Sequence, residues 1–100
     1  MRTMLRLAQR HGKRVILMTP TPITEGGLEA YVEAMRLLAV EEGVPLIDVF
    51  AFLLRYAVRN DLAVSDIVPD GYHPADTIHV LAGQFAAKAF LELEQAVQRR

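Results

Sequence analysis

The chain has 100 residues, of which 52% are hydrophobic and 23% are charged, and this composition is typical of a folded domain rather than a disordered chain. Its 11 basic and 12 acidic residues are interspersed and give a formal net charge of −1, which argues against nucleic acid as a partner. Because the chain contains no cysteine, disulfides, thiolate metal sites and a cysteine nucleophile are excluded.

The sequence predicts neither a membrane span nor an export signal. The longest apolar runs, such as residues 15–18, are far shorter than the roughly 20 residues that cross a bilayer. Basic residues are spread through positions 1–14, whereas a signal peptide has an apolar run after its basic start. We therefore expect no membrane partner, and the sequence assigns no compartment beyond the cytoplasm as a default.

The first half of the chain predicts a helix, a strand and a second helix. Residues 2–11 alternate apolar and basic side chains at helical spacing. Val15 to Met18 are apolar without alternation, as in a parallel strand buried on both faces, and the Thr-Pro-Thr-Pro segment that follows ends this strand. Thr24 is placed to cap a helix whose apolar stripe runs from Leu28 to Ala39.

The second half predicts a strand, a helix, a polar loop and a closing helix. Residues 46–50 form the strand, 50–59 the helix and 60–72 the loop. Pro74 suits the first position of the closing helix. The apolar stripe of that helix comprises Ile78, Leu81, Ala82, Phe85 and Ala89.

We expect an α/β fold with a short parallel sheet, in the order helix-strand-helix-strand-helix-loop-helix, with a right-handed crossover. Parallel strands that are apolar on both faces need helices on each side and further strands at their edges. We therefore expect residues 1–100 to form a single partial domain. Its partner is either a second copy, in a homo-oligomer, or a chain or segment that completes the sheet.

The loop before the closing helix carries an Asp three residues before a His. In a tight turn the Asp70 carboxylate can reach imidazole Nδ1 of His73, which leaves Nε2 free to accept a proton from a serine and to return it to a leaving group. Gly71 allows the sharp turn, and Pro74 biases His73 towards an extended backbone. The pattern predicts the acid and the base of a catalytic triad.

This loop, followed by His79 and a closing helix, resembles the last sequence block of the SGNH (GDSL-type) hydrolases. The segments VILMTPTP (15–22) and AVEEGVPLIDVF (39–50) are similar to the strands and helix that precede that block, so the resemblance covers most of residues 14–90. It implies the C-terminal part of a three-layer α/β/α, flavodoxin-like sandwich. It also implies Asp70 as orienting acid and His73 as general base in ester hydrolysis, with no metal or organic cofactor. The implied substrate is an ester, such as an acetylated small molecule or carbohydrate.

The other blocks of the family have no counterpart in this chain. In the family, a serine in a Gly-Asp-Ser segment is the nucleophile, and a glycine and an asparagine complete the oxyanion hole. The only serine here, Ser65, lacks the preceding Gly-Asp, and Ala75 and Ile78 stand where the family often has Asn and Gly. The resemblance implies a chain that supplies two triad members and is inactive alone.

Three other interpretations stay open. Asp70 and His73 could form an ordinary surface turn. With Asp76 and His79 they recur at intervals of three and could instead hold a metal ion. The chain could also be a non-catalytic hydrolase remnant that acts as an interaction or oligomerisation module.

Further polar residues are weak candidates for substrate binding. Thr19 and Thr21 follow the first strand, at the sheet edge where α/β folds bind ligands, and Tyr72 lies beside His73. Asp48 is instead expected to be a structural hydrogen-bonding residue.

Overall fold

Two short parallel strands and five helices make up the part of the chain that the structure describes, residues 1–98 of a computed structural model. This confirms an α/β arrangement with a short parallel sheet, and the elements follow the predicted order except for one additional short helix in the predicted loop. Among residues 1–98, no helix is long and apolar enough to cross a membrane. The elements are α1 (Arg2–Arg10), β1 (Leu17–Met18), α2 (Leu28–Glu42), β2 (Leu46–Ile47), α3 (Val49–Arg59), α4 (Val64–Ile67) and α5 (Asp76–Gln98).

The sheet is shorter than predicted. Leu17 pairs with Leu46 and Met18 with Ile47 in a parallel register, so β1 occupies only the second half of the predicted 15–18 strand. The predicted strand 46–50 is wrong beyond Ile47, because the chain turns there into α3.

Asp48 causes this turn from strand to helix. Its Oδ1 accepts hydrogen bonds from the backbone N–H of Ala51 at 3.1 Å, as an N-cap, and from Thr19 Oγ1 at 2.9 Å. Its Oδ2 accepts a hydrogen bond from Arg36 Nε of α2 at 2.8 Å. Thr19 Oγ1 in turn accepts the N–H of Phe50 at 3.0 Å. The expected structural role of Asp48 is confirmed, and it links β1, α2 and α3.

Helix boundaries differ from the sequence-based prediction at three places. The predicted cap at Thr24 is wrong, because the N-cap of α2 is Gly27, three residues later, with a left-handed φ of 100°. Pro74 is not the first helical residue, since α5 starts at Asp76. The predicted polar loop 60–72 contains the short helix α4, in which Ile67 is buried.

Most of the buried apolar side chains lie either in one core cluster or on α1 and α2. One group joins β2 to α3, α4 and α5 and has Leu53, Ile67 and Val68 fully buried at its centre. The other group lies on α1 and α2 and comprises Leu5, Val32, Met35, Leu38 and Ala39. On the surface of the second group, Arg2 and Arg6 of α1 form ion pairs with Glu42 of α2.

The shape of the chain is extended for its length. Its Cα radius of gyration is 14.9 Å, with extents of 41 × 29 × 19 Å. A typical 100-residue domain has a radius of gyration of about 13 Å. The difference agrees with a sheet that has only two strands beneath a helix as long as α5.

The contacts of Asp48 predict how stability changes with acid. Burial disfavours the charged carboxylate, but hydrogen bonds from Arg36, Ala51 and Thr19 outweigh it and lower the pKa of Asp48 below its ordinary value of 3.8. Its stabilising contribution is therefore complete above pH 3.8 and is lost as the pH falls through the lower pKa of the folded state. We expect Asp48→Asn to reduce the acid-induced loss of stability, measured by urea unfolding between pH 2 and 6.

Two further variants complete this experiment. Asp48→Ala removes the cap and leaves the Thr19 hydroxyl and Arg36 without their acceptor, so it should cost about 2–3 kcal/mol at neutral pH. Asp61→Asn makes the same chemical change at an exposed position with a left-handed backbone, which asparagine tolerates. It should leave the pH profile unchanged. An Asp48→Asn profile identical to that of the wild type would contradict the assigned role.

Candidate active site

The Asp70 carboxylate lies against both the backbone and the ring of His73. Its Oδ2 is 2.6 Å from His73 Nδ1, and its Oδ1 accepts the backbone N–H groups of Tyr72 at 2.8 Å and His73 at 2.7 Å. The predicted reach from carboxylate to Nδ1 is therefore present in the structure. With Nδ1–H donated to Asp70, the neutral imidazole carries its lone pair on Nε2.

The backbone hydrogen bonds set the charge state of Asp70. The N–H groups of His73 and Tyr72, followed by the His73 side chain, lower the pKa of Asp70 to about 2. The carboxylate is consequently ionised throughout the range in which a histidine titrates. It can orient the ring and stabilise an imidazolium without taking up the proton itself.

Two buried residues that precede this turn anchor both of its ends. The N–H of Gly71 donates to the carbonyl of Val68 at 2.8 Å, and the N–H of Ala75 donates to that of Ile67 at 2.9 Å. Val68 and Ile67 are both fully buried. Asp70 and His73 are thus exposed residues on a turn whose two ends are fixed in the core.

Gly71 itself meets the segment that follows β1. Its φ is +91°, and its carbonyl accepts the N–H of Thr24 at 3.1 Å. A Cβ at this position would lie 2.8 Å from Thr24 Oγ1. The pKa of Tyr72, the residue after Gly71, is raised because the carboxylate of Glu25 is an acceptor for its phenol. The sequence does not predict this contact, because Thr24 is suited to a helix cap and nothing local indicates a partner 47 positions away.

The ring of His73 is open on its other side. Its side chain is 83% exposed, and within residues 1–98 no hydrogen bond involves Nε2. This nitrogen can therefore accept a proton from a group that approaches from outside. The arrangement has the geometry that a general base oriented by a carboxylate requires, and in the described residues no serine or threonine hydroxyl is hydrogen-bonded to the ring.

The three weak substrate-binding candidates lie in different environments. Thr19 is 1% exposed, and its hydroxyl donates to Asp48 and accepts the N–H of Phe50, so this side chain has a structural role. Thr21 is half-buried and lines a hollow of about 230 Å³ that also includes His79. Tyr72 is exposed next to His73, as a rim residue would be.

The geometry supports neither a metal site nor Ser65 as the nucleophile. Within residues 1–98, no three His, Asp or Glu side chains are close enough together to hold a metal ion, so Asp70, His73, Asp76 and His79 do not converge. Ser65 is exposed on α4 and, in the described part of the chain, makes no hydrogen bond to a histidine.

The chain matches no protein-family model, no curated protein and no solved structure. The functional assignment therefore depends on the turn itself: the atoms that Asp70 and His73 present and the contacts that hold them.

The contact between Gly71 and Thr24 predicts an unequal response to two Gly→Ala substitutions. Gly71→Ala forces a side chain into a left-handed backbone and against Thr24, so it should cost about 1–2 kcal/mol. Gly83→Ala, in the exposed interior of α5 with open space around it, should stabilise the protein by up to about 1 kcal/mol. Urea unfolding measures both. In a Thr24→Ala background most of the Gly71→Ala cost should persist, because the backbone strain remains.

The causes of the low Asp70 pKa predict what happens when the imidazole is removed. His73→Ala keeps the backbone N–H at position 73, so the pKa of Asp70 should rise from about 2 but stay below its ordinary value of 3.8. Carboxyl NMR titration measures it. A return to 3.8 would mean that the two backbone hydrogen bonds are not formed in solution.

Proposed function

We propose that this chain supplies the orienting acid, Asp70, and the general base, His73, of a Ser-His-Asp ester hydrolase of the SGNH type. The serine and the oxyanion-hole donors come from outside these 100 residues, either from a further segment of the same polypeptide or from a separate chain. The substrate class is an ester, such as an acetylated small molecule or carbohydrate. The domain is then the C-terminal part of a three-layer α/β/α sandwich.

One observation carries the proposal: the 2.6 Å contact between Asp70 Oδ2 and His73 Nδ1, with Nε2 exposed. A surface turn without function needs only the Asp70 hydrogen bonds to the backbone, and those would form with any residue other than proline at position 73. The imidazole held by Nδ1 adds what a triad requires. The sequence resemblance across residues 14–90 supports the same interpretation.

The chemistry of the proposal assigns one step to each atom. Nε2 of His73 accepts the serine proton as the serine oxygen attacks the ester carbonyl, and it then donates that proton to the departing alcohol. Water hydrolyses the acyl-enzyme by the same route. Asp70 remains ionised and stabilises the imidazolium, which its low pKa favours.

A non-catalytic interaction module is the second candidate function. It is favoured by the edge of β1 that does not pair with β2, where Met18 is 55% exposed, and which does not involve Asp70 or His73. Under this alternative the acid and base are inherited but unused.

Hydrolysis of a chromogenic acetate ester tests the proposal. We expect the 100-residue chain alone to be inactive. The protein expressed with about 100 further upstream-encoded residues, or with a separate serine-bearing chain, should be active. In the active assembly, His73→Ala should lower kcat by a factor of about 10³ or more, and Asp70→Asn by a large but smaller factor. His11→Ala is the matched control, because His11 follows α1, far along the chain from the turn, and it should retain full activity.

Two results would contradict the proposal. One is ester turnover by the chain alone that survives His73→Ala, because the triad base would then be irrelevant. The other is the lack of a Gly-Asp-Ser segment upstream and in associated chains, together with the lack of hydrolysis in every assembly, which would favour the non-catalytic module.

A further inference from the structure

The contact between Asp70 and His73 is local, but a distant segment holds the peptide unit that lies between them in sequence. This unit joins Gly71 to Tyr72. Its carbonyl accepts the backbone N–H of Thr24 at 3.1 Å, and its N–H donates to Asp70 Oδ1 at 2.8 Å. Because a peptide unit is planar, its two polar groups have a fixed direction relative to each other. The hydrogen bond from Thr24 therefore constrains the amide that holds the Asp70 carboxylate.

These hydrogen bonds form a continuous chain that ends at the imidazole. It runs from the Thr24 amide through the peptide unit to Asp70, whose Oδ2 lies 2.6 Å from His73 Nδ1. Hydrogen bonds in such a chain polarise one another, so a peptide unit whose carbonyl accepts a hydrogen bond has a stronger N–H donor. Among residues 1–98, this is the one backbone hydrogen bond that joins residues 70–73 to a segment remote in sequence.

The segment that presents the Thr24 amide is itself fixed. It starts at Thr19, which directly follows β1 and whose buried hydroxyl is hydrogen-bonded as donor and as acceptor. Pro20 and Pro22 restrict its backbone, and the side chain of Pro22 is fully buried. Residues 19–24, which we call the 19–24 segment, therefore connect the end of β1 to the turn that carries the acid and the base.

Two further contacts join the same parts of the chain. A Cβ at Gly71 would lie 2.8 Å from Thr24 Oγ1, which shows how closely the two backbones approach. The carboxylate of Glu25 is an acceptor for the phenol of Tyr72, and this raises the pKa of the phenol. Residues 24 and 25 thus hold residues 71 and 72 through the backbone and through side chains.

We propose that Thr24 is a positioning residue for the acid–base pair, and that its backbone amide acts through the peptide unit between Gly71 and Tyr72. The 19–24 segment then fixes the pair relative to β1, so the direction of His73 Nε2 is determined by the sheet as well as by the ends of the turn. The effect of Thr24 on hydrolysis rests on the proposed function. Its effect on the Asp70 carboxylate does not.

Removing the amide hydrogen of Thr24 tests this role without any enzymatic activity. Thr24→Pro leaves the Gly71 carbonyl without its donor and weakens the N–H of Tyr72, so the pKa of Asp70 should rise from about 2 by about 0.5, measured by carboxyl NMR titration. Thr24→Ala keeps the N–H and should leave this pKa unchanged. Thr3→Pro makes the same substitution in the first turn of α1, where proline is tolerated, and should also leave it unchanged.

Because proline also restricts the residue before it, a second change isolates the hydrogen bond. An ester in place of the amide between Ile23 and Thr24 replaces the N–H by an oxygen, adds no ring and should raise the pKa of Asp70 as Thr24→Pro does. In the wild type, NMR should detect a scalar coupling between the Thr24 nitrogen and the Gly71 carbonyl carbon. A wild type without this coupling overturns the proposal, as does an unchanged Asp70 pKa in the folded ester variant. Unfolding of both variants would show that the amide is required for folding and would overturn a role confined to positioning.

The active assembly distinguishes this inference from the proposed function. Thr24→Pro should lower kcat about tenfold or more with little change in KM, because a misdirected Nε2 slows proton transfer without changing how the ester binds. Thr3→Pro should retain full kcat. If no assembly hydrolyses esters, the proposed function fails, whereas the NMR measurements still decide the role of Thr24. An active assembly in which Thr24→Pro retains full kcat would overturn the positioning role.

Discussion

The three-way contact at Asp48 determines how the elements of this chain are connected. One carboxylate receives hydrogen bonds from Thr19 after β1, from Arg36 of α2 and from the first turn of α3. These partners lie 29, 12 and 3 positions away, so a single side chain joins the βαβ unit to the helix that follows it. Because the group is only partly buried, its charge keeps some hydration while its oxygens are satisfied by protein donors.

A consequence of this contact is that β2 ends at Ile47. Val49 and Phe50 are residue types that favour strands, yet they begin α3, because the cap at Asp48 satisfies an amide that a strand would have sent to a neighbour. The two-residue strands leave the open edge of β1 short. The same cap therefore contributes both to the start of α3 and to the shortness of the sheet.

Periodicity and local chemistry predicted much of this molecule, and distant contacts explain the rest. The α2, α3 and α5 stripes follow from helical spacing, and the Asp70 to His73 contact spans only three residues. The Thr24 assignment failed because its partner, Gly71, is remote in sequence. The short helix α4 was missed because four residues carry too little periodic signal to distinguish a helix from a polar loop.

In the candidate site, too, local contacts could be predicted from the sequence and distant contacts could not. The orientation of His73 is local and could be predicted, whereas the burial of the Thr19 hydroxyl could not, because it depends on Asp48 and Phe50 from the neighbouring strand and helix. A threonine that follows a parallel strand can form hydrogen bonds either to a ligand or to the next loop. The choice is made by tertiary hydrogen bonds rather than by the sequence around them.

The three-residue spacing of Asp70 and His73 also bears on how such a site persists when chains are cut, fused or rearranged. Closing a short loop costs little conformational entropy, so the Asp70 to His73 contact itself needs no distant partner. The anchors of the turn, Ile67 and Val68, are buried by packing with Leu53 and Ile78. A rearranged chain that keeps this packing would therefore keep the two side chains in the same arrangement, whereas a transplanted turn would lose its anchors.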